Sequence, residues 1–233
     1  MGVVVVAAGS GSRLGADRPK AFVELAGATL LEHALRGVVA AGVDEVAVVV
    51  PADWVTQAEM VAVAVVGPAG PAGPAMTVVP GGAERTDSVA AGLSSLSEQV
   101  HHVLVHDAAR CLTPVVVFER VIAALARGAR GAIPGVPVVD TIKTVAPDGL
   151  ITGTPSRDSL RAVQTPQGFR RDVLEQAHAA GVPATDDAAL VEALGHPVLV
   201  VDGDPRSLKI TTPADLVHAE RLLAAGSRAP GHR

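Results

Sequence analysis

Near the N-terminus the chain reads Val3-Val4-Val5-Val6-Ala7-Ala8-Gly9-Ser10-Gly11-Ser12-Arg13-Leu14. Consecutive valines suit a strand buried on both faces, not one that alternates between core and water. The small residues that follow let the backbone approach a ligand and turn its N–H groups toward phosphate oxygens. A strand running into such a loop marks the ligand-binding edge of a layered α/β sheet. Valine-rich runs recur at 46–50, 76–79, 103–105, 132–139 and 198–201, separated by amphipathic stretches. One stretch opens at Thr29-Leu30-Leu31-Glu32, spaced as a capping box, and can stop at Gly42. The last opens at Thr212-Pro213, an N-cap followed by proline at the first helical position, and is expected to run to about Ala224. This alternation predicts an α/β fold with about six or seven strands, mostly parallel.

Two segments break the rhythm. Residues 67–75 repeat Gly-Pro-Ala, too short for a triple helix and read as an exposed connection. Residues 140–165 carry β-prone pairs on either side of Pro147-Asp148-Gly149, which predicts a projecting hairpin arm. A projecting arm usually meets a partner, so a homodimer through 140–165 is expected. One domain over 1–225 fits the length of 233 residues, with a disordered tail at 226–233.

Composition narrows the function. Apolar residues make up 48% and charged residues 18%, enough for a sizeable core. Nineteen basic against 24 acidic side chains give a formal charge of −5, which offers no general attraction to nucleic acid or anionic lipid. Aromatics are 2% with no tyrosine, too few for a base-stacking surface. The single cysteine, Cys111, excludes an internal disulfide and a thiolate-rich metal site. No apolar run is long enough to span a bilayer, and neither a basic-flanked signal peptide nor a myristoylation signal is present. A soluble, cytoplasmic protein is expected.

The first loop fails the dinucleotide fingerprint, because Leu14 stands where the third glycine belongs, and no Walker motif occurs anywhere. Its distinguishing feature is two cations, Arg13 and Lys20, seven residues apart. Cations added to a backbone cradle suit a triphosphate under attack, where negative charge grows in the transition state. A glycine turn with two solvated cations would have the same composition. Three further segments sit at strand ends or helix starts: Gly81-Gly82-Ala83-Glu84-Arg85-Thr86-Asp87-Ser88, His106-Asp107-Ala108-Ala109-Arg110, and Ser207-Leu208-Lys209. An aspartate at a strand end can hold Mg²⁺ against triphosphate oxygens. Taken alone, each has an ordinary structural reading: a glycine turn with Thr86 or Ser88 as cap, an Asp107–Arg110 pair, a surface lysine, and His106 as a structural residue.

Together these motifs resemble the signature of the nucleotidyltransferases, and within them the 2-C-methyl-D-erythritol 4-phosphate cytidylyltransferase family, over roughly residues 2–224. The resemblance implies a three-layer, Rossmann-like fold and transfer of CMP from CTP to a polyol phosphate, with Mg²⁺ and a dimer whose arms exchange. It implies nucleotide contacts from Ala7, Ala8, Gly9, Ser10, Gly11, Gly82, Ala83, Ser88 and Ala108. Arg13 and Lys20 would stabilise the transition state, while Arg157 and Lys209 place the acceptor phosphate. Asp107, Arg110, Thr141, Thr165 and Thr185 would hold the acceptor, with Asp107 also near the metal. Family members commonly carry proline after the arginine and one further residue before Thr-Pro. Here Cys111-Leu112-Thr113-Pro114 follows directly, which leaves acceptor contacts just past Arg110 open. A ribitol 5-phosphate cytidylyltransferase and a non-catalytic CTP-binding protein share much of this logic.

Overall fold

In the computed structural model, which describes residues 1–9, 11, 14–67, 73–182 and 184–226, the valine runs pair with one another. The chain forms β1 (Gly2–Val6), β2 (Glu24–Leu25), β3 (Ala28–Thr29), α1 (Leu30–Ala40), β4 (Glu45–Val50), α2 (Val55–Val66) and β5 (Ala75–Pro80). It continues through α3 (Arg85–Ser95), β6 (His102–Asp107), α4 (Val115–Ala126), β7 (Gly131–Pro137), β8 (Thr144–Val145) and β9 (Ile151–Gly153). The last elements are β10 (Arg161–Val163), β11 (Gln167–Arg170), α5 (Arg171–Ala179), α6 (Asp187–Ala193), β12 (Val198–Asp202) and α7 (Pro213–Gly226).

The main sheet holds eight strands, more than the six or seven expected. Pairs β1–β4, β1–β6, β4–β5 and β7–β12 are parallel, whereas β11 runs antiparallel between β6 and β7, and β10 antiparallel along β7. The additions are β10 and β11, which carry no valine run. Burial on both faces explains the continuous valines of β1, β4 and β6, but not the runs in β5, at the end of the sheet, and β12, paired only with β7, which are largely half-buried or exposed. Val3 and Val5 point into a core with α1, α2 and α4, while Val4 points into a second core with α3, α5 and α6. Helix α1 buries Leu30, Leu31, Ala34, Leu35 and Val38, the spacing of one helical face. Its expected capping box forms only in part: Thr29 accepts from the Glu32 N–H, but the Glu32 carboxylate turns to Arg36. The arm forms as expected, with β8 and β9 antiparallel around Gly149, whose φ is +85°. No helix among the described residues is long and apolar enough to cross a membrane. The expectations for the Gly-Pro-Ala connection and the tail fall largely on 68–72 and 227–233, outside the described residues.

Gly92 shows how closely α3 lies on the sheet. A Cβ there would come within 2.5 Å of Val4 Cγ1 and 3.0 Å of Val49 Cγ2. Alanine gains about 1 kcal/mol of helix propensity over glycine, but overpacking a core typically costs about 1–3 kcal/mol. Gly92→Ala is therefore expected to destabilise by about 1–2 kcal/mol. Urea unfolding measures it, and a raised midpoint would contradict this packing.

Candidate active site

The parallel strands β1, β4, β5 and β6 end at one edge, with Val6 beside Asp107 in register. The Ala7 N–H donates to the Val49 carbonyl at 2.7 Å, so the first loop leaves the sheet one residue after β1. Gly11 has φ +69°, and a Cβ on it would lie 2.6 Å from Lys20 Cβ. That position needs glycine because the loop folds directly onto the turn that carries Lys20. The second loop closes against the first: a Cβ on Gly81 would meet Ala8 Cβ at 2.7 Å. The Gly82 N–H donates to Ser88 Oγ at 3.2 Å, and Ser88 Oγ donates to the Glu84 carbonyl at 3.2 Å. Neither Thr86 nor Ser88 is the cap of α3; that position is Glu84, whose N–H donates to Asp87.

Between the loops lies a hollow of about 370 Å³, lined by Ala7, Ala8, Gly9, Lys20, Gly82, Ala83, Arg85, Ser88, Asp107, Ala108 and Lys209. Ten of the residues singled out in the sequence thus meet at one place. Ser10 and Arg13 lie outside the described residues.

A smaller hollow of about 160 Å³ shares Arg85, Asp107 and Lys209 with the first and adds Arg110, Thr165, Gln167, Thr185 and Asp186. Asp107 is the hinge between them. One carboxylate oxygen takes the Lys209 ammonium at 2.7 Å and the other faces Arg85 at 3.6 Å. Burial alone would raise the Asp107 pKa, but Lys209 and Arg85 outweigh it and hold the group down at about 2. The Asp107–Arg110 ion pair, the ordinary structural alternative for this spacing, does not form. Arg110 instead donates to the carbonyls of Ser207 (2.7 Å) and Val163 (3.2 Å), and its Nε is buried without a partner. Thr165 Oγ1 accepts from the Asp107 N–H at 3.1 Å and lies 3.0 Å from His106 Nδ1. Burial pushes His106 down to about 4, which leaves its ring neutral near pH 7. The shortened loop after Arg110 is closed by the Thr113 hydroxyl on the Arg110 carbonyl. Burial pushes the Cys111 thiol up to about 12, leaving it un-ionised near neutrality.

The family profile described as "IspD: 2-C-methyl-D-erythritol 4-phosphate cytidylyltransferase" matches residues 1–225. The chain belongs to this family.

Among similar proteins, the 2-C-methyl-D-erythritol 4-phosphate cytidylyltransferase of Nocardia farcinica is 53% identical, across 94% of this chain and 92% of its own. That of Rhodococcus opacus is 50% identical, across 96% and 95%. A crystal structure of the Thermus thermophilus cytidylyltransferase aligns with TM-score 0.73 at 36% identity, covering 95% and 98% of the two chains. A 4-diphosphocytidyl-2C-methyl-D-erythritol synthase from Anaerococcus prevotii aligns with TM-score 0.83 at 28% identity, covering 96% and 97%.

Not every residue implied by the family lies at the hollows of this cytidylyltransferase. Thr141 is exposed at the start of the arm, and Arg157 donates to the Val139 carbonyl at 3.0 Å. Arg157 lines a separate hollow with Val139, Asp158 and Arg161. Within one chain these two do not join Lys209. Thr185 reaches the smaller hollow but does not cap α6; Asp186 does, accepting from the Ala189 N–H at 3.0 Å. Arg85 was not singled out in the sequence and lines both hollows. Its only signal was a guanidinium three residues after Gly81-Gly82, at the first position of α3.

Proposed function

We propose that this chain transfers CMP from CTP to 2-C-methyl-D-erythritol 4-phosphate, giving 4-diphosphocytidyl-2-C-methyl-D-erythritol and pyrophosphate. The observation that carries the reading is the pair of hollows joined at Asp107, Arg85 and Lys209. The nucleotide occupies the larger, beneath the small-residue loop, with Lys20 on its triphosphate. The polyol phosphate occupies the smaller, against Arg110, Thr165 and Thr185. One acceptor phosphate oxygen attacks the α-phosphorus in line as the bond to pyrophosphate breaks. That oxygen is already anionic near neutrality, so no general base is needed. The protein's part is placement and charge stabilisation. Arg13 belongs to the same loop and joins Lys20 in this role; Lys209 aims the acceptor phosphate.

Magnesium fits the donor set. Asp107 is a carboxylate held ionised at the junction, and Mg²⁺ commonly binds through one or two carboxylates plus substrate phosphates. No group of three or more candidate ligands among the described residues forms a protein-only cage. Mg²⁺ held by Asp107 and the triphosphate would withdraw charge from the phosphates. The same reading places the reaction in the cytoplasm.

A second copy completes the acceptor site through the arm. Val139, Val145, Leu150 and Ile151 are 57–79% exposed on or beside it, an apolar surface suited to burial against a partner. Thr141 and Arg157 would then reach the neighbour's Lys209 side. Mixed dimers test this: inactive Arg157→Ala chains combined with inactive Lys209→Ala chains should regain about a quarter of full activity, because half the dimers are mixed and each restores one site. No recovery would mean that each chain supplies its own arginine.

Pyrophosphate release with CTP and Mg²⁺ tests the reaction, with methylerythritol 4-phosphate and ribitol 5-phosphate offered in parallel. Release with the first acceptor alone is expected, and chelation of the metal should abolish it. Release with ribitol 5-phosphate alone would overturn the acceptor, and CTP binding without release would overturn the reaction.

A further inference from the structure

Asp187 opens α6 and is fully buried, yet it lines neither hollow. Its two oxygens take Arg85 Nη1 at 2.7 Å and His178 Nε2 at 2.9 Å. The other end of the same guanidinium, Nη2, faces Asp107 at 3.6 Å, and Asp107 in turn holds Lys209 at 2.7 Å. Four charged groups thus run in series from the far side of α6 to the junction of the hollows.

Stability alone does not call for this arrangement. Apolar packing of similar volume often matches a buried ion pair, because desolvation offsets most of the attraction. Direction is what the pairing supplies. A guanidinium is planar and rigid, so fixing one edge on a buried carboxylate fixes where the other edge lies. That other edge meets Asp107 on the side opposite Lys209.

We infer that Asp187 is a positioning residue for nucleotidyl transfer: it anchors Arg85, which orients Asp107, which aims Lys209. The inference rests on the reaction proposed above. With Asp187 neutral, Arg85 is free to swing and Asp107 loses its fixed side, so Lys209 loses its aim at the acceptor phosphate. Misplacement on the scale of an ångström is enough to cost about 10²-fold in rate.

The test is a double-mutant cycle on kcat and KM in the full chain, with Asp187→Asn, Arg85→Lys and their combination. Asp187→Asn is expected to lower kcat by about ten- to a hundredfold and to raise the KM for the acceptor. CTP affinity, measured by calorimetry without acceptor, should stay within about threefold. Arg85→Lys keeps the charge but cannot span both carboxylates, and is expected to cost a similar factor. In that background Asp187→Asn should add nothing, since both act through one path. Unchanged kcat in folded Asp187→Asn, or losses that multiply, would overturn the inference. Were Asp187→Asn not to fold, unchanged kcat in Arg85→Lys would overturn it by itself. An unmodified chain without turnover would instead refute the proposed reaction.

Discussion

Replacing Lys20 with alanine is expected to lower kcat by about 10²–10³ while the denaturation midpoint stays near that of the unmodified protein. Lys20 opens a short 3-10 turn directly under the first loop, close enough that Gly11 has no room for a side chain. The turn is held by its neighbours. Ala21 and Phe22 are buried, and the Phe22 ring packs against Trp54 with centroids 4.5 Å apart. Removing the half-buried Lys20 side chain beyond Cβ leaves those contacts in place. The ammonium is lost from the wall of the larger hollow, where the proposed reaction would build negative charge on the triphosphate as the α-phosphorus is attacked. A well-aimed donor of this kind typically contributes about 2.7–4 kcal/mol to the barrier. Single-turnover kinetics with saturating CTP measure the effect on the chemical step. A loss below threefold would remove Lys20 from transition-state stabilisation.

The central strands were legible because their physics is local. A strand buried on both faces needs apolar residues at every position, and the runs at 3–6 and 46–50 supply them. β10 and β11 carry no such mark. β10 is exposed, and β11 is four residues long, with Gly168 leaving space for Val121, Leu104 and Leu125. Their place comes from β6 and β7, distant in sequence. The site divides in the same way. The loop residues announced themselves by being small after a strand, and Asp107 by ending one. Arg85 did not, because its direction is set by Asp187, 102 residues away. The spacing of Thr29 and Glu32 read as a reciprocal cap, but Arg36 one turn on offered Glu32 a full charge. Arg157 and Thr141 entered only through family resemblance, and one chain alone gives them no contact with the junction.

Lys209→Ala is expected to show that one ammonium serves both stability and catalysis, and that the two can be separated. In the folded protein this side chain is 2.7 Å from a carboxylate whose side chain is only 12% exposed. Its removal leaves Asp107 with Arg85, which already faces Asp187, and should destabilise by about 1–3 kcal/mol at neutral pH. The deficit depends on pH in a defined direction. Asp107 has its folded pKa lowered from 3.8 to about 2, so its ionised form contributes stability above about pH 4, lost as pH falls toward 2. That contribution is on the order of 2 kcal/mol. The gap between unmodified and Lys209→Ala proteins should therefore be full at pH 7 and close as pH falls through that window. Adding Asp107→Asn removes the stranded charge and should return most of the lost stability. It should not return activity, because the acceptor phosphate would still lack its ammonium and the metal would lack the Asp107 carboxylate; kcat should stay at least about 10²–10³ below the unmodified enzyme in both variants. Urea unfolding between about pH 2 and pH 7 and steady-state kinetics at about pH 7 measure the two effects. Recovery of turnover in the double variant would mean that Lys209 serves only as the counter-ion of Asp107.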